Sequence, residues 1–489
     1  MFKRVCGGVV VAVLLVLGNG CRANDNINEK NSTGIDQKAA STPLFSAAQL
    51  QTAAKIRDTA AADNVSYRIL ESLTTEVGSR MAGSEGDAKA VAWAEAKFKA
   101  LGFDKVWKEA VTFPTWKRGV ERAEIVSPYP HVLSVTALGG SIATPANGIK
   151  AEVVQFATLQ DLKNAQDEAV RGKIVFINHK MHKPDDYGVV AAGRSRGASV
   201  AGRKGALALV IRSVGTDSHR FPHTGMMRYD SDVVKVPAAA ISNSDADLLV
   251  RVLERKQAVM LNLTLGASVG ENYTSYNVIG EITGSELPQE YVLIGGHLDS
   301  WDLGTGALDD GAGCAITMAA AEFLKRQGLR PRRTIRVVLF ANEESGLSGG
   351  KAYLAANQGQ IKRIQAASEA DLGQGPVVRL SHHVQAAALP LVRQMQEVLA
   401  PLGVSAGKGD AWPGPDMNPL REAGAASFEL DLKADDYFDL HHTHDDTFDK
   451  IQPERINQAT AVYATFAWLA AQAPISFGSG EALAKAKKP

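Results

Sequence analysis

The pattern of apolar and polar positions divides the chain into segments of different character. From Ser46 to Leu101 the pattern is helical, with Ala- and Leu-rich runs, and Gly102 supplies a helix stop. The segment "KVWKEAVTFPTW" then alternates as a strand does. From about Pro128 to Leu265, short β-branched runs such as "GKIVFI" alternate with Gly-rich turns. This second region is predicted to be a β-rich insert.

From Asn277 onward, apolar strand runs alternate with a helical pattern. "YVLIGGH", "TIRVVLFANEE" and "ASFELDL" predict buried strands, and "CAITMAAAEFLKRQG" predicts a helix that ends at a glycine. The alternation predicts an α/β fold, in which a mixed, mostly parallel sheet is covered by helices on both faces. In such sheets, chemistry gathers beyond the carboxyl ends of the strands. His297, Glu343 and Glu344 follow predicted strands and are therefore candidates.

Composition bounds the class of protein. The chain has 489 residues, of which 45% are apolar and 22% charged, as in ordinary globular proteins. Lys and Arg together number 53, and so do Asp and Glu, which gives no support for nucleic-acid binding. The predicted organisation is a signal peptide (1–21), a flexible linker (22–44), a catalytic domain (45–129 and 271–475), the insert (130–270) and a frayed tail (476–489).

The N-terminus has the layout of a secretory signal. Lys3 and Arg4 precede an apolar run from Val9 to Leu17, which is too short to span a bilayer. Cys21 lies where a bacterial lipoprotein is cleaved and lipidated. We therefore expect an exported protein, attached to the membrane through Cys21 in the periplasm or cell envelope, with plain cleavage and secretion as the alternative.

Acidic and histidine residues cluster in five motifs after the predicted strands. The motifs supply His297 and Asp299 ("GGHLDSWD"), Asp309 and Asp310 ("ALDDGAG"), Glu343 and Glu344 ("FANEESG"), Glu369 and Asp371 ("ASEADLGQG"), and His441, His442 and His444 ("HHTHDDT"). Imidazoles and carboxylates without thiolates favour a catalytic zinc site over a structural one. Because these ligands exceed the three that one catalytic zinc needs, two metals sharing a carboxylate are predicted, with "DDG" as a rigid bridge.

Spacing leaves two choices open. Neighbouring side chains on an extended backbone point to opposite sides, so one of Glu343 and Glu344 binds metal and the other is free to act as general base. By the same reasoning His441 and His442 diverge, whereas His442 and His444 share a side. Nothing local decides which residue takes which role.

The motifs "GGHLDSWDLGTGALDDGAG", "FANEESGLSGG", "EADLG" and "HHTHDDT" resemble the di-zinc exopeptidases of the aminopeptidase type, most closely the plasma glutamate carboxypeptidase (carboxypeptidase Q) branch. The resemblance runs from about Phe45 to Ala473. It implies a protease-associated-type insert, a homodimer, and hydrolysis of short peptides or dipeptides by a metal-bridged hydroxide with a Glu general base.

The resemblance also implies a role for each residue. Two zinc ions would be bound by His297, Asp309, Glu344, Asp371 and His442. Asp309 would bridge the ions next to a cis peptide bond, Glu343 would be the general base, and Asp299 would orient His297. The segments "GSRMAGSEG", with Arg80, and "GPDMNPLREAG", with Asp416, resemble cleft and substrate-side segments of the family, with plain structural loops as the alternative. The polarity stays open between aminopeptidase, carboxypeptidase and dipeptidase, and a non-catalytic binding protein on the same scaffold is the alternative to an enzyme.

Overall fold

The computed structural model describes residues 44–480 and Leu483, so the predictions for the signal peptide, Cys21 and nearly all of the linker lie outside the described residues. In chain order, the strands of the described part are β1 (Lys105–Lys117), β2 (Glu121–Ser127), β3 (His131–Leu133), β4 (Val135–Ala137), β5 (Ile149–Phe156), β6 (Ile174–Ile177), β7 (Ala208–Arg212), β8 (Ala238–Ile241), β9 (Met260–Leu265), β10 (Ser268–Ile282), β11 (Leu287–His297), β12 (Arg333–Phe340), β13 (Ile364–Glu369), β14 (Val377–His383), β15 (Ser405–Ala406) and β16 (Ser427–Leu432). The helices are α1 (Ala47–Ala60), α2 (Val65–Glu76), α3 (Glu85–Ala100), α4 (Leu159–Asn164), α5 (Asp167–Val170), α6 (Tyr187–Arg203), α7 (Asn243–Leu253), α8 (Ala312–Arg326), α9 (Ser348–Asn357), α10 (Leu389–Leu399), α11 (Asn418–Glu422), α12 (Tyr437–Leu440) and α13 (Pro453–Gln472).

The first sheet has eight strands in the order β1-β10-β12-β11-β13-β16-β14-β15. Strands β12, β11, β13 and β16 are parallel neighbours, whereas β1, β10 and β14 pair antiparallel with the strands beside them. The predicted mixed α/β sheet is therefore confirmed. Because the central strands are parallel, β11, β12 and β13 all end at the same edge, which is where the acidic and histidine motifs begin.

Both faces of the first sheet are covered. Along β12, Val337 and Leu339 belong to the large core beneath α1, α2, α8 and α13, and Val338 and Phe340 belong to a smaller core on the opposite face, which includes Tyr353 of α9. The alternation follows from the two-residue period of a strand buried on both sides. Helix α13 is buried over most of its length, as an apolar helix in a protein interior should be.

The second sheet has the order β3-β2-β9-β5-β6-β7-β8-β4 and is built from residues 121–265. Describing this region as β-rich was incomplete, because α4, α5, α6 and α7 also belong to it. Helix α6 was missed because it packs through small residues rather than through a large apolar stripe. A Cβ at Gly197 would lie 2.9 Å from Leu209 and 3.1 Å from Ile177, so the glycine lets the helix lie close against the sheet.

The domain boundaries stay a prediction, because the described residues all belong to one compact unit. The second sheet begins at Glu121, before the predicted boundary at 130. For the described part of the tail, the prediction of fraying is wrong: Phe477 is completely buried and its ring packs edge-on against Phe428. No helix within residues 44–480 is long and apolar enough to cross a membrane.

Candidate active site

His297 lies at the end of β11 and is buried. Its Nδ1 hydrogen-bonds the main-chain oxygen of Asp299 at 3.0 Å and lies 3.6 Å from the Asp299 carboxylate. That carboxylate accepts hydrogen bonds from the main-chain N–H groups of Glu343, at 3.0 Å, and Glu344, at 3.4 Å. Asp299 therefore links the ends of the neighbouring strands β11 and β12. It lies on the Nδ1 side of His297, whereas Nε2 faces Asp309.

Asp309 and Asp310 occupy an irregular turn before α8, and the peptide bond between them is cis, as the resemblance implies. The Asp310 carboxylate accepts hydrogen bonds from the main-chain N–H groups of His297, at 2.9 Å, and Gly313, at 3.0 Å. A Cβ at Gly313 would overlap the carbonyl oxygen of Ala370, so only glycine permits this approach. The turn is thus held rigidly against the end of β11.

Asp446 supports the same turn from a distant part of the chain. Its carboxylate accepts hydrogen bonds from the main-chain N–H groups of Leu308, at 2.6 Å, and Asp309, at 3.2 Å. Burial raises the pKa of Asp446 to about 7. The motif "HHTHDDT" contains this residue, but its spacing gave no reason to separate a supporting aspartate from a metal ligand.

The two oxygens of Asp309 face two different groups of side chains. Oδ1 is 3.1 Å from Nε2 of His297, and Nε2 of His297 is 3.4 Å from the Asp371 carboxylate. Oδ2 is 3.2 Å from Nε2 of His442, and Nε2 of His442 is 3.0 Å from the Glu344 carboxylate. All five side chains predicted as ligands are therefore brought together, with Asp309 between the two groups.

The Glu343 and Glu344 side chains have different surroundings. The Glu344 carboxylate turns towards His442 and accepts a hydrogen bond from Nε1 of Trp301 at 2.6 Å. The Glu343 side chain also lines the open cleft, but its carboxylate makes no hydrogen bond within the described part of the chain. Burial, reinforced by the nearby carboxylates of Asp371 and Glu344, raises the pKa of Glu343 well above its ordinary value.

The expectation that His441 and His442 diverge is wrong. Their rings stack with centroids 3.5 Å apart, because His442 has a left-handed backbone with φ +63° rather than an extended one. His444 is exposed and does not line the cleft. His441, which the sequence reasoning did not select, has Nε2 3.9 Å from Asp309 and is a further candidate ligand.

The arrangement fits a pair of divalent cations. Oδ2 of Asp309 and Oε1 of Glu344 are buried acceptors without a hydrogen-bond partner among the described residues. Burial raises the pKa of Asp371 and of Glu344, and although burial opposes a charged imidazole, the carboxylates of Glu344 and Asp309 raise the pKa of His442 to about 9. Bound protons thus offset part of the negative charge, and cations would do so directly.

Comparison with known proteins agrees with this geometry. The model of peptidase family M28 matches residues 277–467. Carboxypeptidase Q of Rattus norvegicus is 38% identical over 408 residues, covering 83% of this chain and 85% of its own length. The chain belongs to peptidase family M28. It is therefore a metallopeptidase.

Two solved structures share the architecture. The crystal structure of a Peptidase M28 precursor from Shewanella amazonensis is 48% identical, covers 89% of this chain and 99% of its own, and superposes with a TM-score of 0.87. A zinc aminopeptidase from Bacillus subtilis is 21% identical, with coverages of 82% and 93% and a TM-score of 0.58. The second likeness shows the fold alone.

An open cleft of about 730 Å³ leads to the cluster. Asp309, Glu343, Glu344, Asp371 and His442 lie at its base. Part of its lining comes from residues that precede the range matched by the family model: Tyr187, Arg194, Ser195, Arg196, Met226 and Arg228. These residues were missed because they belong to no motif and reach the site only when the second sheet is folded against the first.

The second sheet also holds the segment that carries His441 and His442. His223 is completely buried, and its two ring nitrogens contact the Asp217 carboxylate and the main-chain oxygen of His441, each at 2.6 Å. The main-chain N–H of Thr224 donates to the main-chain oxygen of His442 at 3.0 Å. The main-chain oxygens of His441 and His442 are thus both held by residues that lie outside the range matched by the family model.

Two further residues lie away from the cleft. Arg80 is completely buried and donates to main-chain oxygens, including those of Leu298 at 2.7 Å and Gly306 at 2.9 Å, so it supports the loops beneath the site. Asp416 is also completely buried, and its carboxylate accepts the main-chain N–H of Gly350 at 2.8 Å. Neither lines the cleft, so the expectation that they lie beside the substrate is wrong.

Proposed function

We propose that the protein is a zinc-dependent exopeptidase that hydrolyses short peptides with two metal ions. The observation that carries the proposal is the position of Asp309, whose two carboxylate oxygens face two separate imidazole–carboxylate pairs. His297 and Asp371 would hold one ion, and His442 and Glu344 the other. A carboxylate in the middle of two such pairs is what a bridged two-metal site requires.

A zinc pair bound at this position would lower the pKa of a metal-bound water and polarise the scissile carbonyl. Glu343 lies in the cleft next to the cluster and makes no side-chain hydrogen bond among the described residues. We assign to it the transfer of the proton from the attacking water to the leaving amine. Asp299 orients His297, whose Nδ1 contacts the Asp299 main-chain oxygen. The Asp299 carboxylate also accepts a hydrogen bond from the Glu343 main-chain N–H and so fixes the position of the Glu343 backbone.

For polarity, we propose that the substrate is read from its C-terminus. This proposal takes support from the name of the rat relative, a carboxypeptidase, because that relative is 38% identical and covers most of this chain. Two aminopeptidases of solved structure are only 21–22% identical and show the fold alone, and a probable leucine aminopeptidase from Aspergillus fumigatus that is 34% identical covers only 26% of this chain. A dipeptidase would read both termini.

The test is metal-dependent hydrolysis. Chelator-treated protein should lose activity on dipeptides and regain it with two equivalents of zinc per chain. Glu343→Gln should keep both metals, measured by elemental analysis, yet lose about 100- to 10,000-fold in kcat, the usual contribution of a general base. Near-wild-type turnover by this variant would refute the assignment of the base, and zinc-independent turnover would refute the function.

We further propose export with lipid attachment at Cys21, supported by the signal-like N-terminus. Intact-mass measurement of the protein from its native membrane distinguishes a lipidated Cys21 from plain cleavage. A homodimer is proposed on the family resemblance, and light scattering coupled to gel filtration tests it.

A further inference from the structure

Arg194 of α6 is a buried cation without a counter-ion. Its side chain lines the cleft, and the residue is only 8% exposed. One guanidinium nitrogen donates to the Tyr187 hydroxyl at 2.7 Å, and Nε has no hydrogen-bond partner within the described part of the chain. The ion pairs of residues 44–480 do not include Arg194, whereas the buried Arg212 and Arg333 each have a carboxylate partner. A buried, unpaired guanidinium is costly unless a ligand completes it.

Arg194 lies directly beside the metal-ligand cluster. Its Nη1 is 3.5 Å from Nδ1 of His442, and the opposite nitrogen of that ring faces Asp309 and Glu344. The guanidinium is therefore one imidazole width from the side chains that would hold the second ion. Tyr187 holds it by hydrogen bond, and a Cβ at Gly225 would collide with it, so its position is set before any substrate binds.

The rest of this cleft wall is also positive. Arg196 and Arg228 line the cleft, are exposed, and form no ion pair within residues 44–480. Arg228 extends towards Gly346, in the loop that follows Glu343. Asp230, the wall's acidic residue, is already paired with Arg203 at 2.7 Å. Apart from the cluster itself, the described lining of the cleft offers free cations and no free carboxylate.

We propose that Arg194, assisted by Arg228, binds the free α-carboxylate of the residue on the C-terminal side of the scissile bond. The inference rests on the proposed function and names the substrate class: short peptides with an unblocked C-terminus. A guanidinium presents two parallel N–H groups that match a carboxylate, whereas a terminal amine would be repelled. One extended residue spans at most about 3.6 Å, so a carboxylate bound this close to the cluster belongs to the residue next to the cleaved bond.

The test compares a dipeptide with its C-amidated form. The measured quantity is the ratio of kcat/KM for Ala-Ala over kcat/KM for Ala-Ala amide, with zinc-loaded protein. Arg194→Gln should lower this ratio about 10- to 100-fold, the value of hydrogen bonds to a charged group, mainly through KM. Arg194→Lys keeps the positive charge but not the two parallel N–H groups, so its ratio should lie between those of the wild type and Arg194→Gln. Arg251→Gln, an exposed arginine of α7 outside the cleft, is the matched control and should keep the wild-type ratio.

Metal content and thermal unfolding report whether each variant is intact. Arg228→Gln changes an exposed side chain, so it tests the inference even where Arg194→Gln fails to fold, and it should lower the ratio several-fold. Unchanged ratios in the folded, zinc-loaded variants would overturn the inference. A third substrate, Ala-Glu amide, carries its only free carboxylate on the side chain. If the variants lost activity on this substrate alone, Arg194 would bind an acidic side chain and not the α-carboxylate, and the inference would be overturned.

Wild-type protein separates this inference from the proposed function. Zinc-dependent cleavage of both peptides at equal efficiency leaves the exopeptidase proposal standing and overturns the role of Arg194. Cleavage of neither peptide, with two zinc ions bound, overturns both.

Discussion

Replacing His223 by alanine should weaken metal binding, although His223 is not a candidate ligand. Its two ring nitrogens each lie 2.6 Å from an oxygen, one of the Asp217 carboxylate and the other of the His441 main chain. Burial opposes the ionisation of Asp217, but the hydrogen bond from His223 keeps its pKa below the ordinary value. The buried contact between His223 and Asp217 thus holds the segment carrying His442.

The magnitude follows from what alanine leaves behind. Asp217 keeps hydrogen bonds from the His219 main chain, at 2.7 Å, and from Asn243, at 3.1 Å, but loses its contact with His223. Losing a hydrogen bond to a charged group costs about 1.5–3 kcal/mol of folding free energy. His442 has a left-handed backbone that its surroundings must enforce, and residues that orient metal ligands contribute about 10- to 100-fold in affinity.

Zinc affinity is measured by competition with a chromophoric chelator, and stability by denaturant unfolding of the metal-free protein. His223→Ala should bind one ion about 10- to 100-fold more weakly and leave the other, held near His297, close to wild type. His219→Ala, an exposed histidine of the same segment, is the control. If folded His223→Ala bound both ions with wild-type affinity, the second sheet would not support the metal site and the reasoning would be wrong.

Three other predictions follow from the site and the core. Asp299→Asn should lose about 10- to 100-fold in metal affinity or activity, because the Asp299 carboxylate lies 3.6 Å from His297 and holds the Glu343 main chain. An isothermal titration with zinc measures the affinity and a dipeptide assay measures the activity. Wild-type values in both would contradict the prediction. Zinc binding at pH 7 should release protons, because the pKa of His442 is about 9 without metal, and the apparent zinc affinity should therefore weaken as pH falls. Calorimetry in buffers of different ionisation enthalpy counts the released protons. Zero release would contradict the assignment of His442 as a ligand. Phe477→Ala should destabilise the fold by about 3–5 kcal/mol, since the ring is completely buried against Phe428, whereas a frayed tail would show no change in denaturant unfolding.

Elements whose pattern is dominated by burial could be predicted from the sequence. Strand β11 and helix α8 each appear as an apolar run, and their glycines mark the close approaches around the site. Helix α6 could not be recognised, because its packing depends on small residues that show little apolar contrast along the chain. The burial of Phe477 depends on contacts with β16, which a local pattern does not contain.

The chemistry of the cluster was already present in the sequence. Residue types, order and strand ends are local properties, and they were enough to gather the five candidate motifs. The family resemblance then selected His297, Asp309, Glu344, Asp371 and His442, whose side chains lie together in the structure. Only the tertiary structure decided how the site is held and bounded. His223 is 218 residues from His441, and Arg194 is 248 residues from His442. Contacts at such separations depend on how the two sheets fold together, so no spacing rule along the chain could reveal the positive cleft wall or the support of the histidine segment.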